Sequence, residues 1–415
     1  KYRGGRGLAS KILFDEIDPK VDPLSPENKL IYATGLLTGT AASTGGRYMV
    51  VTKGPLTGTI ASSNSGGFFG AELRFTGNDI IIFEGKAERP LYLSIKGDEV
   101  ELKDASHVWG KGAYDTTDIL IEESGNDKSR VSCIGPAGEK LVKFASIMNE
   151  KDRAAGRTGV GAVMGSKNLK SIAINGEKEI RIANREKFQE LVKELSGEWQ
   201  EQLSDLSEYG TTYLTTVISD TQGGLGTRNW QEETFDKVDN ISGNVFINEY
   251  KTKHTACFGC RIGCGKVFET DDAKSEGPEY ESIYALGSAC EIDDPEVLIE
   301  ADEKCDRYGL DTVSTGVTIA FTMECYEKGI LSKEDLRGIE ANFGNGKALL
   351  DLIEKIAFNE DVGNLLAKGT KRMAEKINDE AEKFAINVKG LEIPGHSPRA
   401  LKSMAIGYSV SNRGG

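Results

Sequence analysis

The stretch Ile80-Ile81-Ile82-Phe83, then Glu84-Gly85-Lys86-Ala87-Glu88-Arg89-Pro90, then Leu91-Tyr92-Leu93-Ser94-Ile95 sets the reading of the first half of the chain. Two short β-prone runs flank a segment of Gly, charge and Pro, which is a strand, a turn and a strand. Ser171-Ile172-Ala173-Ile174 repeats the pattern, and the first 175 residues are rich in Gly, Thr and Ser. Helical patches are few there; one follows Ala113 through Ile119, Leu120 and Ile121. Near residue 180 the period changes. Asn184 is placed to cap a helix on which Phe188, Leu191, Val192 and Leu195 share a face. Asp294-Pro295 opens another, through Val297, Leu298, Ala301 and Cys305, stopped at Gly309. Further helices are expected over 315–328, 346–358 and 363–377, and Val388 to Pro394 reads as a short extended link. The fold class is therefore α+β. The expected divisions are a β-rich domain over 1–178, a helical domain over 179–385, and the start of a truncated third, helical domain over 386–415.

Composition narrows the function. The 415 residues carry a net charge of −14 and no basic stripe, so nucleic acid is not an expected partner. No run approaches the roughly 18 apolar residues of a membrane span. No secretory leader opens the chain. It begins at Lys1 and ends in Asn412-Arg413-Gly414-Gly415, which reads as a fragment lacking a short N-terminal piece and a larger C-terminal one. Of seven cysteines, Cys133, Cys290, Cys305 and Cys325 are scattered and three are clustered. That distribution suits a reducing cytoplasm and one metal site rather than a disulfide scaffold.

The cluster is Cys257-Phe258-Gly259-Cys260-Arg261-Ile262-Gly263-Cys264, a C-x2-C-x3-C motif. Thiolates at these spacings let one loop wrap one face of a [4Fe-4S] cube, which takes four such ligands. Structural zinc is the alternative, but it usually comes with a second separated pair or with His. The fourth ligand stays open: Cys290 and Cys305 read as buried small hydrophobes, and a ligand past residue 415 is equally open. A second pattern is an internal echo. Leu37-Thr38-Gly39-Thr40-Ala41-Ala42-Ser43 and Leu56-Thr57-Gly58-Thr59-Ile60-Ala61-Ser62 each lead to a Gly pair, Gly45-Gly46 and Gly66-Gly67. The echo reads either as two similar turns or as two backbone loops approaching one ligand.

With these residues in place, the chain resembles the tungsten-containing aldehyde ferredoxin oxidoreductase family. The landmarks, in order, are Gly4-Gly5-Arg6-Gly7-Leu8, Asp22 to Asn28, Thr44-Gly45-Gly46-Arg47-Tyr48, and Asn64 to Leu73. Arg153-Ala154-Ala155-Gly156-Arg157, Gly161 to Gly165, the cysteine motif, Glu276-Gly277-Pro278-Glu279-Tyr280-Glu281 and Asp306 to Asp311 follow. The resemblance implies tungsten, or molybdenum in the same site, held by two pterins on a saddle formed by the N-terminal β domain. A [4Fe-4S] cluster on Cys257, Cys260 and Cys264 would lie close by. It also implies that Arg47 lies between cluster and pterin, that Arg153 belongs to the cofactor site, and that Asn64 and Ala154 supply oxygens to a magnesium ion joining the pterin phosphates. Asp306, Gly309, Leu310 and Asp311 would form a pterin-binding motif.

The implied reaction oxidises a small aldehyde to a carboxylic acid, with electrons passing to ferredoxin or a similar carrier in an anaerobic cytoplasm. Glu281 matches the family's active-site glutamate and is the expected base. A homodimer is compatible with the resemblance. His396 is expected at the surface, because the histidine that some family members set against substrate would fall just past Gly415. Two other readings are carried forward: a related tungsten enzyme, such as the tungsten subunit of an aromatic acyl-CoA reductase, and a non-catalytic zinc-stapled binding protein.

Overall fold

In the computed structural model, which describes residues 2–415, two sheets form the first part of the chain. The first is antiparallel, in the order Ile60–Ser65, Tyr48–Lys53, Leu30–Thr34, Ile80–Phe83. All five residues of Leu30–Thr34 are buried, because both faces of that strand are covered. Leu30 and Tyr32 point to the second sheet, and Ile31 and Ala33 pack under the helix Gly5–Glu16 with its Ala9 and Leu13. A strand covered on both faces loses the alternation of polar and apolar residues, so its sequence is an unbroken run, Leu-Ile-Tyr-Ala, closed by the buried Thr34, whose hydroxyl donates to Asp79 O.

The second sheet runs Glu99–Asp104, Leu91–Lys96, Leu169–Asn175, Arg130–Cys133, Ile147–Asn149, Arg153–Ala155. Its one parallel pair, Leu91–Lys96 with Leu169–Asn175, accommodates the helix Ala113–Ser124 and further strands in the crossover. The stacked rings of Tyr32 and Tyr48, 5.8 Å apart, fill the core between the sheets. The Tyr48 hydroxyl donates to Asn149 Oδ1 at 2.9 Å, which satisfies a buried polar group.

From Arg185 onward the chain is mainly helical. Asn184 caps Arg185–Gln202 by accepting from the Lys187 N–H at 3.0 Å, and Asp294 caps Pro295–Tyr308 through Glu296 at 3.0 Å. The latter helix stops at Gly309, whose φ of 73° lies in the left-handed region that favours glycine. The buried Thr312–Glu327 and the amphipathic Gly346–Phe358 pack in the largest apolar cluster. Among the described residues no helix is long and apolar enough to cross a membrane.

Four details differ from the sequence reading. The helix expected over 363–377 is two, Gly363–Leu366 and Thr370–Ile377, because Gly369 between them has φ 80°. The link from Val388 to Pro394 begins as a small hairpin, Asn387–Val388 with Leu391–Glu392. The helical half contains a three-stranded sheet, Lys251–Thr255, Gly265–Glu269 and Lys274–Ser275. The β-rich half carries more helix than expected, Gly5–Glu16 and Phe69–Phe75 among it.

Candidate functional site

A cavity of 870 Å³ lies where the sheets meet the helical half. Its floor comes from two edge strands. Ile60–Ser65, outermost in the first sheet, contributes Ser62, Ser63 and Asn64, and Arg153–Ala155, outermost in the second, contributes Arg153 and Ala154. An edge strand leaves backbone N–H and C=O groups unpaired, so this floor can offer oxygens and N–H donors to a bound group. Opposite stand Asp302 and Asp306 of Pro295–Tyr308, Leu310 to Val313 at the start of the next helix, and Glu279, Glu281 and Ser282.

The cysteine loop closes one end. It is the connection of an antiparallel pair, with Thr255 opposite Gly265, so hairpin pairing brings both ends of the loop together. Cys257 and Cys264 line the cavity. Cys260 does not, and its Sγ lies 4.0 Å from Ser43 Oγ. The two glycine pairs explain how the loop sits so close to the sheet. Gly46 packs against the Gly67 carbonyl and Phe258, and the Phe258 N–H donates to Gly67 O at 3.1 Å. A Cβ on Gly66 would stand 2.8 Å from Cys257 Sγ and 3.7 Å from Arg47 Nε, so the thiol and the guanidinium flank the same bare backbone. Burial pushes the Cys264 thiol up, and Arg153 acts against that. Cys133, Cys290, Cys305 and Cys325 are buried in apolar clusters and none lines the cavity. Among the described residues no three His, Cys, Asp or Glu side chains are gathered as ligands of a single metal ion.

Charge on the walls is organised. Arg47 donates to Asn64 Oδ1 at 2.7 Å, and Asn64 Nδ2 donates to Tyr48 O at 2.9 Å, so the amide oxygen stays turned toward the arginine. Arg153 pairs with Glu276. Arg157 Nε bonds Asp311 Oδ2 at 3.1 Å and Nη2 bonds Glu392 O at 2.7 Å, while the buried Arg157 Nη1 has no partner among the described residues. Asp311 also caps the helix Thr312–Glu327 through the Val313 N–H and the Ser314 hydroxyl. Gly309 does not line the cavity but shapes it. Its carbonyl accepts from Ser146 N–H at 2.8 Å, and Leu310 bridges to Ala145, which fastens the helical half to the sheets. Burial pushes Asp302 up to about 6 and Asp306 also upward, and neighbouring carboxylates add to both shifts.

Glu281 sits in the first turn after Glu279, and its carboxylate is held from one side. The Gly395 N–H donates to Oε2 at 2.8 Å, and His396 Nε2 lies 3.4 Å from Oε1. Burial raises its pKa; the Gly395 N–H, His396 and Arg157 oppose that, and Asp311 adds to it. The expectation of a surface His396 is therefore corrected: the link after residue 390 folds back onto the cavity wall and carries the imidazole with it.

The structure thus brings Arg47, Asn64, Arg153, Ala154, Cys257, Cys264, Glu281, Asp306, Leu310 and Asp311 to one cavity. Sequence reading gave no role to Asp302, Arg413 or His396. Asp302 had a usable signal, since it lies four residues before Asp306 on one helical face. The first copy's Leu37 and Thr38 line a neighbouring cleft and the second copy's Gly58 and Thr59 a groove beside Gly5–Glu16, while the glycine pairs that follow the two copies meet, Gly46 against Gly67.

The model of the aldehyde ferredoxin oxidoreductase N-terminal domain matches residues 1–176, and that of domains 2 and 3 of the same family matches 186–415. The tungsten-containing aldehyde ferredoxin oxidoreductases of Thermococcus kodakarensis and Pyrococcus furiosus are 48% and 47% identical to the whole chain, which spans 69% of each. The WOR-like subunit of an aliphatic sulfonate oxidoreductase from Pyrococcus furiosus is 34% identical over the whole chain and 70% of its own length. Among solved structures, the active-site complex BamBC of benzoyl coenzyme A reductase with 1,5-dienoyl-CoA superposes with a TM-score of 0.83 at 31% identity. That match covers 95% of this chain and 62% of that one.

Proposed function

The chain belongs to the aldehyde ferredoxin oxidoreductase family, and from that premise we propose that it forms the cofactor-binding part of a cytoplasmic tungstopterin enzyme. Its reaction is the oxidation of a small aldehyde to the carboxylic acid, with two electrons leaving through a [4Fe-4S] cluster to ferredoxin or a similar carrier. One observation carries the reading: Glu281, the thiols Cys257 and Cys264, and the Arg47–Asn64 pair line the same cavity.

The residues suit the groups this reaction needs. Cys257, Cys260 and Cys264 offer three thiolates on a loop whose backbone lies against bare glycine. Arg47, beside both Cys257 and Asn64, has the fixed charge and the several donors to bridge cluster and pterin. Asn64 and the Ala154 carbonyl offer hard oxygens of the kind magnesium takes. Arg153 and the unpartnered Arg157 Nη1 supply positive charge to phosphate. Asp306, Asp311 and the Gly309–Leu310 backbone present acceptors to pterin N–H groups. When bound, tungstopterin supplies the two-electron acceptor and the cluster the one-electron exit.

The step assigned to this chain's own residues is proton removal. Glu281 accepts a proton from the water that attacks the aldehyde carbon. Aldehyde and water then yield acid, two protons and two electrons. Raising its pKa by burial brings a carboxylate nearer the working pH, which suits a general base.

The test is anaerobic. The full-length protein should contain tungsten, iron and sulfide and reduce benzyl viologen in the presence of a small aldehyde. Zinc as the sole metal, or reduction supported by an acyl-CoA but by no aldehyde, would overturn the reading.

A further inference from the structure

Glu281 shares its wall of the cavity with a segment that three tyrosines hold in place. Tyr280 donates its hydroxyl to Gly395 O, Tyr284 to Ile393 O at 3.3 Å, and Tyr408 to His396 O at 3.0 Å. The Tyr280 ring also lies against the imidazole, with centroids 5.3 Å apart. Two consecutive residues of this segment address the two oxygens of one carboxylate: the Gly395 N–H meets Oε2 at 2.8 Å, and His396 Nε2 faces Oε1 at 3.4 Å. His396 Nδ1 is buried with no hydrogen-bond partner among the described residues, so Glu281 is the polar group this imidazole faces.

Resting on the reading of Glu281 as the base, we propose that His396 is its positioning residue, holding Oε1 so that the carboxylate keeps one orientation toward the cavity. A glutamate side chain has three rotatable bonds, and a base misplaced by about 1 Å can lose about 10²-fold in rate. The Gly395 N–H alone would leave the carboxylate free to turn about a single contact. Charge acts in the same direction. The groups facing Glu281 are His396, Arg157 and Asp311, with Tyr280, Tyr284 and Tyr408 around the segment. His396 acts to lower the Glu281 pKa, so removing it raises the pH at which Glu281 becomes a base.

The experiment uses the full-length holoenzyme with His396→Phe and His396→Gln. Phenylalanine keeps the ring against Tyr280 and removes the nitrogen that faces Oε1. Glutamine returns a donor of similar reach without the charge. For His396→Phe the expected result is a kcat lower by roughly tenfold to a hundredfold, part of what a general base contributes. KM should stay within about twofold, tungsten and iron contents should be unchanged, and the acid limb of the kcat profile should move up by about one pH unit. His396→Gln should recover most of kcat and keep the shifted limb. A His396→Phe enzyme with parental kcat and an unmoved acid limb overturns the proposal. Should that variant fail to fold, His396→Gln decides alone: a shifted limb supports the proposal and an unmoved limb overturns it. Glu281→Gln, measured in parallel, separates the two readings. If it keeps turnover, the base assignment falls. If it is inactive while both His396 variants behave as the parent, only the His396 assignment falls.

Discussion

Replacing Glu281 by Gln perturbs the cavity least for the amount of chemistry it removes. The amide oxygen can still accept from the Gly395 N–H at 2.8 Å, and the side chain keeps its volume on the wall. What disappears is the proton acceptor. General-base catalysis contributes about 10²–10⁴-fold, or about 3–5 kcal/mol of barrier. Burial raises the pKa of this carboxyl toward the working pH, so the loss is expected at the upper end, about 10³-fold or more. Stability should barely respond. A neutral amide escapes the partial desolvation of the carboxylate, which offsets the lost attraction to His396 and Arg157. The assay is anaerobic steady-state aldehyde oxidation, with tungsten and iron determined on the same preparation and a thermal melt beside it. A variant that keeps more than about a tenth of parental kcat would refute the assignment. So would one that loses activity only because its metals are gone, since Glu281 would then be a structural residue.

Three further outcomes follow from named contacts. Gly66→Ala should lower iron content and cost about 1–3 kcal/mol, because its Cβ would stand 2.8 Å from Cys257 Sγ; parental iron content and melting would contradict this. Arg157→Met should cost about 3–5 kcal/mol in denaturant unfolding, because Asp311, 3% exposed, would lose its buried cation; a loss under about 1 kcal/mol would contradict it. Glu150 is mostly enclosed and accepts from the Phe68 N–H, and desolvation pushes its pKa up to about 7 from 4.5. The folded state then binds a proton that the unfolded chain releases, so this group's stabilisation is full below about pH 4.5. About 3 kcal/mol of it is lost as pH rises through 7. Glu150→Gln should flatten that part of the stability curve, and an unchanged slope between pH 5 and about 7.5 would contradict the account.

How much of this was legible in the sequence depends on how local each signal is. Asp294-Pro295 with Gly309, and Asn184 before its apolar face, are short-range signals, and the caps form as read. The division into a sheet-rich first part and a helical second part also follows from hydrophobic period. The helix Gly5–Glu16 was not legible, because it buries little more than Ala9 and Leu13 and two glycines stand in its first turn. The hairpin that carries the cysteine loop was hidden for another reason. Lys251–Thr255 is a mostly exposed polar strand, and pairing with Gly265–Glu269, not propensity, makes it one.

Within the site, sequence could name the thiols, Glu281 and the Asp306–Asp311 run, because each sits in a compact motif. The other features depend on contacts between distant segments. His396 reaches Glu281 across more than a hundred residues, and the pairing of Gly46 with Gly67 depends on two loops meeting at the cysteine hairpin. The echo of the two glycine-rich loops hinted at the second contact, but nothing in the local sequence announces the first. Asp302 lies between these cases: the helical spacing to Asp306 was visible, but its burial was not.

The central claim is that aldehyde oxidation and the cysteine cluster share one cavity and one electron path. Electron paramagnetic resonance on the oxidised full-length enzyme, after anaerobic addition of a small aldehyde and with no external carrier, tests it most directly. The expected result is the signal of a reduced [4Fe-4S] cluster, dependent on aldehyde and absent from Glu281→Gln. An enzyme that holds its tungsten and iron yet shows no cluster reduction with any aldehyde would contradict it.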